Sequence, residues 1–310
     1  MHNFVQRRRW YFLFSGLLIV AGIVAMVYSV VTYGSPVLLS IDFRGGSFFV
    51  VQFEGPATES AIRDVYAEFG LDDTIIQEVT GQAPNRWQIR AGHIPADDES
   101  ALKDALAAEI APINEAESSF DVVDPAIGAE VTLAAALAVG VAAIIILGFI
   151  WWAFRRVPHA IRFGACAIFA MIHDIIITMG VMAALGLLFG WEVDALFLTA
   201  MLTVVGFSVQ DKIVVFDRIR ENLPKYRGEP YETVINRSVL ETIHRSLATQ
   251  LNAVFVMIAI LIFGGETIKH FVAILLIGLM CGTYSSIFTA VPLLAAWEKG
   301  ELPFTHAAKA

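Results

Sequence analysis

The sequence predicts an α-helical polytopic membrane protein, with six transmembrane helices and one folded α+β domain between the first and the second. Three observations carry that expectation. The 310 residues are 57% hydrophobic and 16% charged, with a mean hydropathy of +0.66, too apolar for a chain that meets water on every side. Six stretches reach the roughly 20 apolar residues that cross a hydrocarbon core about 30 Å thick. Between the first two, the segment 34–130 changes composition and holds 18 of the 30 acids. The same figures exclude several classes. A soluble globular enzyme does not fit. Cys166 and Cys281 both sit inside apolar runs, so neither a disulfide-stapled module nor a CxxC metal or redox site is available. A net charge of −9 has the wrong sign for a nucleic-acid binder.

In chain order, residues 1–11 form a basic N-terminus carrying Arg7, Arg8 and Arg9, and 12–33 is the first span. That apolar stretch is longer than the roughly 7 to 15 residues of a signal peptide, and no A-x-A site follows it. The remaining five spans fall near 131–153, 161–189, 193–216, 246–264 and 270–296, with a tail at 297–310. Lys and Arg accumulate on the cytoplasmic side of short loops. With the N-terminus inside, 14 of the 21 basic residues fall on that side, six of them in a basic loop at 217–245. Six more fall outside and Lys212 lies within a span. Both termini are therefore expected in the cytoplasm, which requires an even number of crossings.

The inserted domain has five basic residues against its 18 acids. Ser47 to Phe53 reads as a strand, and Pro56 as the first-turn proline of a helix with Ile62, Val65, Tyr66 and Phe69 on one face, ended by Gly70. Two short strands follow, Thr74 to Val79 and Arg86 to Ala91, around the turn residues at 81–85. A second helix from about Asp97 to Ile110 places Ala101, Leu102, Ala105 and Leu106 together, with acids at its start where the helix dipole favours them. Ser119 to Val123 closes the set. The order βαββαβ is the split, ferredoxin-like plan. With no Cys or clustered His, the domain reads as an interaction module, and His93 as a surface residue.

Ionisable groups at membrane depth cost roughly 2.5–3.5 kcal/mol on insertion unless paired or wetted, so each is a functional candidate. They are His173 and Asp174 in the third span, Gln210, Asp211 and Lys212 in the fourth, and Arg245 at the mouth of the fifth. At a rise of about 1.5 Å per residue, Asp211 lies about 26 Å from Asp194, and Arg245 about 27 Å from Phe263. The two therefore reach a similar level on adjacent, opposed spans. They are expected to meet, either as a fixed pair that offsets insertion cost or as a carboxylate whose proton is loaded and released by rearrangement. Asp174, the most central acid, either shares that work or bonds a neighbouring hydroxyl such as Thr178. His173 has no HExxH or second His beside it, so metal binding is not expected. Lys212 lies about 100° round the helix from Asp211 and is expected either to snorkel to the cytoplasmic face, the favoured reading, or to form a functional pair. Gly278 and Gly282 form a GxxxG, whose ordinary meaning is close helix packing.

These residues carry a resemblance. Asp42-Phe43-Arg44-Gly45-Gly46 follows the first span, Asp124-Pro125-Ala126-Ile127-Gly128-Ala129-Glu130 precedes the second, and His173-Asp174 lies in the third. Gly206-Phe207-Ser208-Val209-Gln210-Asp211-Lys212 then leads into a run ending Phe216-Asp217-Arg218-Ile219-Arg220-Glu221-Asn222. Asn236, Ser238, Thr242, Arg245 and Ser246 fit the next motif, and Gly282-Thr283-Tyr284-Ser285-Ser286-Ile287 the last. Over nearly its whole length the chain resembles the SecF side of the SecD/SecF family, within the RND superfamily.

The resemblance implies an RND-like half unit that is not an enzyme and needs no cofactor or metal. It implies work in the lipid bilayer of the cytoplasmic membrane with SecD and the SecYEG channel, on a translocating preprotein, driven by the proton motive force. It makes Asp211 the membrane acid of the fourth span, Arg245 its partner and Asp174 a further member of the relay, with the remaining essential carboxylate on SecD. It also exposes departures. The family more often reads GYSxNDT, where this chain has Phe207, Gln210 and Lys212, and Ala248 and Gln250 stand in a stretch usually rich in Ser and Thr. Lys212, Gln210 and His173 are thus expected to tune the site, and Gln250 to affect packing. A proton-coupled transporter of lipid or small molecules and a passive scaffold of the translocase are the competing readings.

Overall fold

The structure is a computed structural model that describes residues 4–71, 74–79, 84–155 and 160–302. It divides into two compact units, Leu39–Leu137 and the remainder of the chain.

The smaller unit opens with a one-turn helix α2 (Ile41–Arg44), preceded in the chain by α1 (Arg8–Tyr33) of the other unit, and the Ser40 side chain caps it by accepting from the Asp42 amide. Then come β1 (Gly46–Gln52), α3 (Glu59–Glu68), β2 (Ile75–Glu78), β3 (Arg86–Ala91), α4 (Ala96–Glu109) and β4 (Ser119–Val123). The sheet order is β2-β3-β1-β4 with every pair antiparallel, the arrangement the βαββαβ order implied. In β1 the alternate residues Phe49 and Val51 point inward, and Phe49 lies opposite Ile89 on one side and Phe120 on the other. Ile62, Val65 and Tyr66 of α3 and Leu102 and Leu106 of α4 close over that face.

Two details differ from expectation. Helix α3 starts not at Pro56 but after Thr58, whose Oγ1 accepts from the Ala61 amide, because an N-cap hydroxyl satisfies a free helix-end donor that proline only avoids. Ala101 is exposed, so the buried face of α4 is narrower than its apolar pattern. Of the turn expected at 81–85, residues 81–83 lie outside the described residues.

The DFRGG motif has a structural role within this unit. Gly45 and Gly46 take φ of 72° and 121°, where a side chain is strained. A Cβ on Gly45 would stand 2.5 Å from Pro125 Cα, and one on Gly128 would stand 2.7 Å from Gly45 N. The two ends of the inserted domain therefore pass at backbone distance, which only glycine allows.

Helix α5 (Pro125–Phe154) begins in this unit, and its residues from Ala138 belong to the other. With it, α1 (Arg8–Tyr33), α6 (Ala160–Phe189), α7 (Ala195–Lys225), α8 (Tyr231–Phe263) and α9 (Glu266–Ser285) run on as six helices long and apolar enough to cross a membrane. The last continues through a π turn (Ser286–Ala290) into α10 (Val291–Glu298). Helices α6, α7 and α9 are the central ones, and α1 packs on α6 where Gly22 meets Gly180. Gly278 and Gly282 let α9 lie on α7: a Cβ on the first would overlap the Val204 side chain, and one on the second would sit 3.2 Å from Ser208 Cα.

The stretch 217–245, expected as a loop, is helical apart from the turn between Lys225 and Tyr231. Val215, Phe216, Ile219 and Asn222 on α7 keep a buried face at helical spacing, as do Val234, Ile235, Ser238, Val239 and Thr242 on α8. Ion pairs fasten this end, with Arg8 to Glu232 (2.8 Å) and Glu301 (2.6 Å) and Arg162 to Glu298 (2.7 Å).

Candidate functional site

The buried charges form two groups on adjacent sides of α7. The first centres on Asp174 of α6, whose side chain is 1% exposed. Its Oδ2 accepts from Ser208 Oγ (2.6 Å), Lys212 Nζ (2.9 Å) and Ser285 Oγ (2.7 Å), and its Oδ1 lies 3.0 Å from His173 Nδ1. Lys212 is wholly buried, and its Nζ also donates to the Ser208 carbonyl (3.1 Å) and Ser208 Oγ (2.5 Å).

Lys212 was expected to snorkel; instead it folds inward. A helical side chain leans toward the N-terminus of its helix, so Lys212 lies back over Ser208 one turn earlier and meets Asp174 there. Thr178, the expected hydroxyl partner, bonds the Asp174 carbonyl rather than its carboxylate. His173 Nε2 is buried without a hydrogen bond among the described residues, and its ring stacks on Tyr284 at 6.4 Å. Among the described residues no group of acids, His and Cys is arranged to hold a metal.

The second group is Asp211, 6% exposed, whose Oδ2 accepts from Gln250 Nε2 of α8 at 2.5 Å. Ser246 lies one turn before Gln250, buried on the same face. Arg245 does not meet Asp211 here. Five positions separate Arg245 from Gln250, which is about 140° round a helix of 3.6 residues per turn, and Arg245 is exposed. Equal depth brought the two residues level without bringing them face to face. Gln250, expected only to affect packing, is the carboxylate's partner. Gln210 is exposed on α7 and takes no part in either group.

The residues at the turn between α7 and α8 brace it. Asp217 pairs with Arg220 (2.6 Å), and Arg218 with Glu221 (2.8 Å) and Glu241 (2.6 Å). Asn222, 1% exposed, donates to Ser238 Oγ (3.0 Å) and Glu241 Oε2 (2.8 Å). Tyr284 donates to the Tyr11 carbonyl at 3.3 Å and so ties α9 to α1.

The family described as "Protein export membrane protein SecD/SecF, C-terminal" matches residues 103–300. The protein translocase subunit SecF of Anaerolinea thermophila is 43% identical over 307 residues, covering 97% of this chain and 96% of that protein. The chain belongs to the SecF family. The SecF of Thermobaculum terrenum is 42% identical, covering 96% of this chain and 94% of its own. Among solved structures, SecDF of Thermus thermophilus, a translocon-associated membrane protein, is 30% identical with a TM-score of 0.79 over 96% of this chain. This chain spans 38% of that SecDF chain. With six spanning helices and SecF-family membership, it is a multi-pass membrane protein.

Within the SecF family setting, the sequence motifs divide into frame and charge. Gly45 belongs to the crossing of the inserted domain's ends, Gly46 to the close approach of β1 to Ala91, Asp42 to the capped turn α2, and Asp217, Arg218 and Asn222 to the α7–α8 brace. His173, Asp174, Ser208, Asp211 and Ser285 belong to the buried groups.

Proposed function

We propose that this chain pairs with SecD beside the SecYEG channel in the cytoplasmic membrane, both termini inside, and uses the proton motive force to complete preprotein export. The names of its relatives and its likeness to 38% of a SecDF chain support the assembly. The observation that carries the proton reading is the company kept by the two buried acids. Protonating Asp174 would strand the wholly buried Lys212 ammonium without its counter-ion, at a cost of several kcal/mol. Protonating Asp211 strands no hydrogen-bonded charge, because Gln250 is neutral and an amide can accept as well as donate, and Lys212, the cation that also acts on Asp211, keeps its contact with Asp174. Asp211 is therefore the exchangeable acid and Asp174 a fixed charge in this reading.

Arg245 is the mobile counterpart. It lies on an exposed face of α8 with Thr249 and Asn252, at i, i+4 and i+7. A cation on an apolar helix needs an acid. In the proposed cycle Arg245 turns between a carboxylate of SecD and Asp211, and its motion is passed to the acidic inserted domain, which holds the preprotein. The test is release of a secreted reporter from inverted vesicles containing SecD, with and without a proton gradient. Asp211→Asn and Arg245→Ala should each lose the gradient-dependent part and keep the rest. Unchanged gradient response in both would leave a passive scaffold.

A further inference from the structure

The Lys212 ammonium stands in surroundings that resemble an ion site more than a salt bridge. Its three donors meet three oxygens, Asp174 Oδ2 at 2.9 Å, the Ser208 carbonyl at 3.1 Å and Ser208 Oγ at 2.5 Å. Ser285 Oγ, from a third helix, is held 2.7 Å from the same carboxylate oxygen. One carboxylate, one carbonyl and hydroxyls are the hard oxygen donors that desolvated cations take. The carboxylate supplies one negative charge, which suits a monovalent ion. The cage is closely packed: a Cβ built on Gly282 of α9 would stand 3.2 Å from Ser208 Cα on α7. Lys212 reaches this place only because its side chain leans back one turn, and its ammonium is the cage's sole cation among the described residues.

We propose that the space bounded by Asp174, Ser208 and Ser285 is a monovalent-cation site whose resident ion is the chain's own Lys212 ammonium. A chain without the lysine takes an ammonium- or potassium-sized ion from solution in its place. The native chain needs no free cation there. That consequence for transport rests on the proton-driven reading above; the site itself does not.

The experiment uses the full-length chain purified in detergent, comparing Lys212→Ala with wild type by thermal unfolding at constant pH. Ammonium or potassium chloride is set against equal concentrations of tetramethylammonium chloride, whose cation is too large for the cage. Lys212→Ala should be stabilised saturably by the small cations and not by the large one, wild type should not discriminate, and adding Asp174→Asn should abolish the response. Equal response of Lys212→Ala to both salts, or none, overturns the proposal. If Lys212→Ala is not recovered folded at low salt, the readout becomes its monodisperse yield after solubilisation in each salt, and equal yields overturn it likewise. In SecD-containing vesicles, potassium should restore gradient-driven release to Lys212→Ala, ammonium being avoided because it dissipates pH gradients. Loss of the gradient response in wild type would sink the proton reading while leaving the unfolding result standing.

Discussion

Asp174 and Lys212 offer a quantitative test, since they form a directly hydrogen-bonded ion pair and both are at most 1% exposed. Asp174→Asn leaves a buried ammonium facing neutral oxygens, and breaking a buried pair from one side costs about 3–5 kcal/mol. Lys212→Met leaves a carboxylate that still accepts from Ser208 and Ser285 and faces His173. Hydrogen bonds to a charged group are worth about 1.5–3 kcal/mol each, so this loss belongs near 3 kcal/mol, the lower end of the range. The double variant removes both charges, and a buried pair roughly breaks even against apolar replacement, so it should lie within about 2 kcal/mol of wild type. The expected coupling is therefore at least about 4 kcal/mol in favour of the pair. The assay is equilibrium unfolding of the purified chain in mixed micelles by titration with dodecyl sulfate as its tetramethylammonium salt, followed by far-UV circular dichroism, on all four proteins in tetramethylammonium buffer. Additivity within about 0.5 kcal/mol would refute the reasoning, because independent sites add to that precision.

Two predictions concern the inserted domain. Leu102 is wholly buried between α4 and the sheet, so Leu102→Ala should destabilise that unit by about 2–5 kcal/mol, seen by pulse proteolysis as new cleavage confined to residues 39–137; a loss under about 1 kcal/mol would contradict the assigned core. Tyr66 is buried with its hydroxyl unbonded among the described residues, and burial pushes its phenol up from the usual value near 10. Above pH 10 the unfolded chain releases a proton that the folded domain retains, so stability should fall with pH by up to about 1.4 kcal/mol per unit. Tyr66→Phe should remove that part of the alkaline loss at little cost at neutral pH, and an unchanged alkaline slope would speak against it.

The inserted domain was legible because its elements obey local rules. Period-2 burial in β1, a positive-φ Gly70 after α3 and the Leu102/Leu106 stripe can each be read from neighbours in sequence. The six spans were legible for a cruder reason, since length and apolarity suffice. What failed was rotation. Depth along a helix follows from counting residues, but which face meets which depends on packing between helices, and all-apolar spans carry almost no amphipathic signal. Hence Asp211 was given Arg245 and received Gln250, and Lys212 was sent outward and lies buried. One signal was present: Ser208 and Lys212 stand four apart, and a lysine leaning back over a serine already marks the face on which an acid should be sought. The helical extensions past 216 and before 246 were hidden because charged residues on their outer faces read as a loop.

On the proposed reading, the way these helices are rotated gives the two acids different work. An ionisable side chain can cycle only if both of its protonation states are tolerable where it sits. Asp174 is matched by a cation and several donors, an arrangement built for one state. Asp211 is matched by one amide, which can turn over to serve either state. Arg245 is exposed about 140° round α8 from Gln250, so it can reach Asp211 only if α8 rotates or a partner displaces it. A fixed pair at Asp174 gives such a rotation something rigid to turn against, because α6, α7 and α9 are tied at Asp174, Ser208 and Ser285 while α8 is held at this level through the Asp211–Gln250 bond. On the proposed reading, protonation of Asp211 weakens that one bond, frees α8 to turn, and leaves the three-helix cage intact. A relay built the other way, with Asp174 as the exchanging group, would loosen the frame at the moment it had to bear the motion.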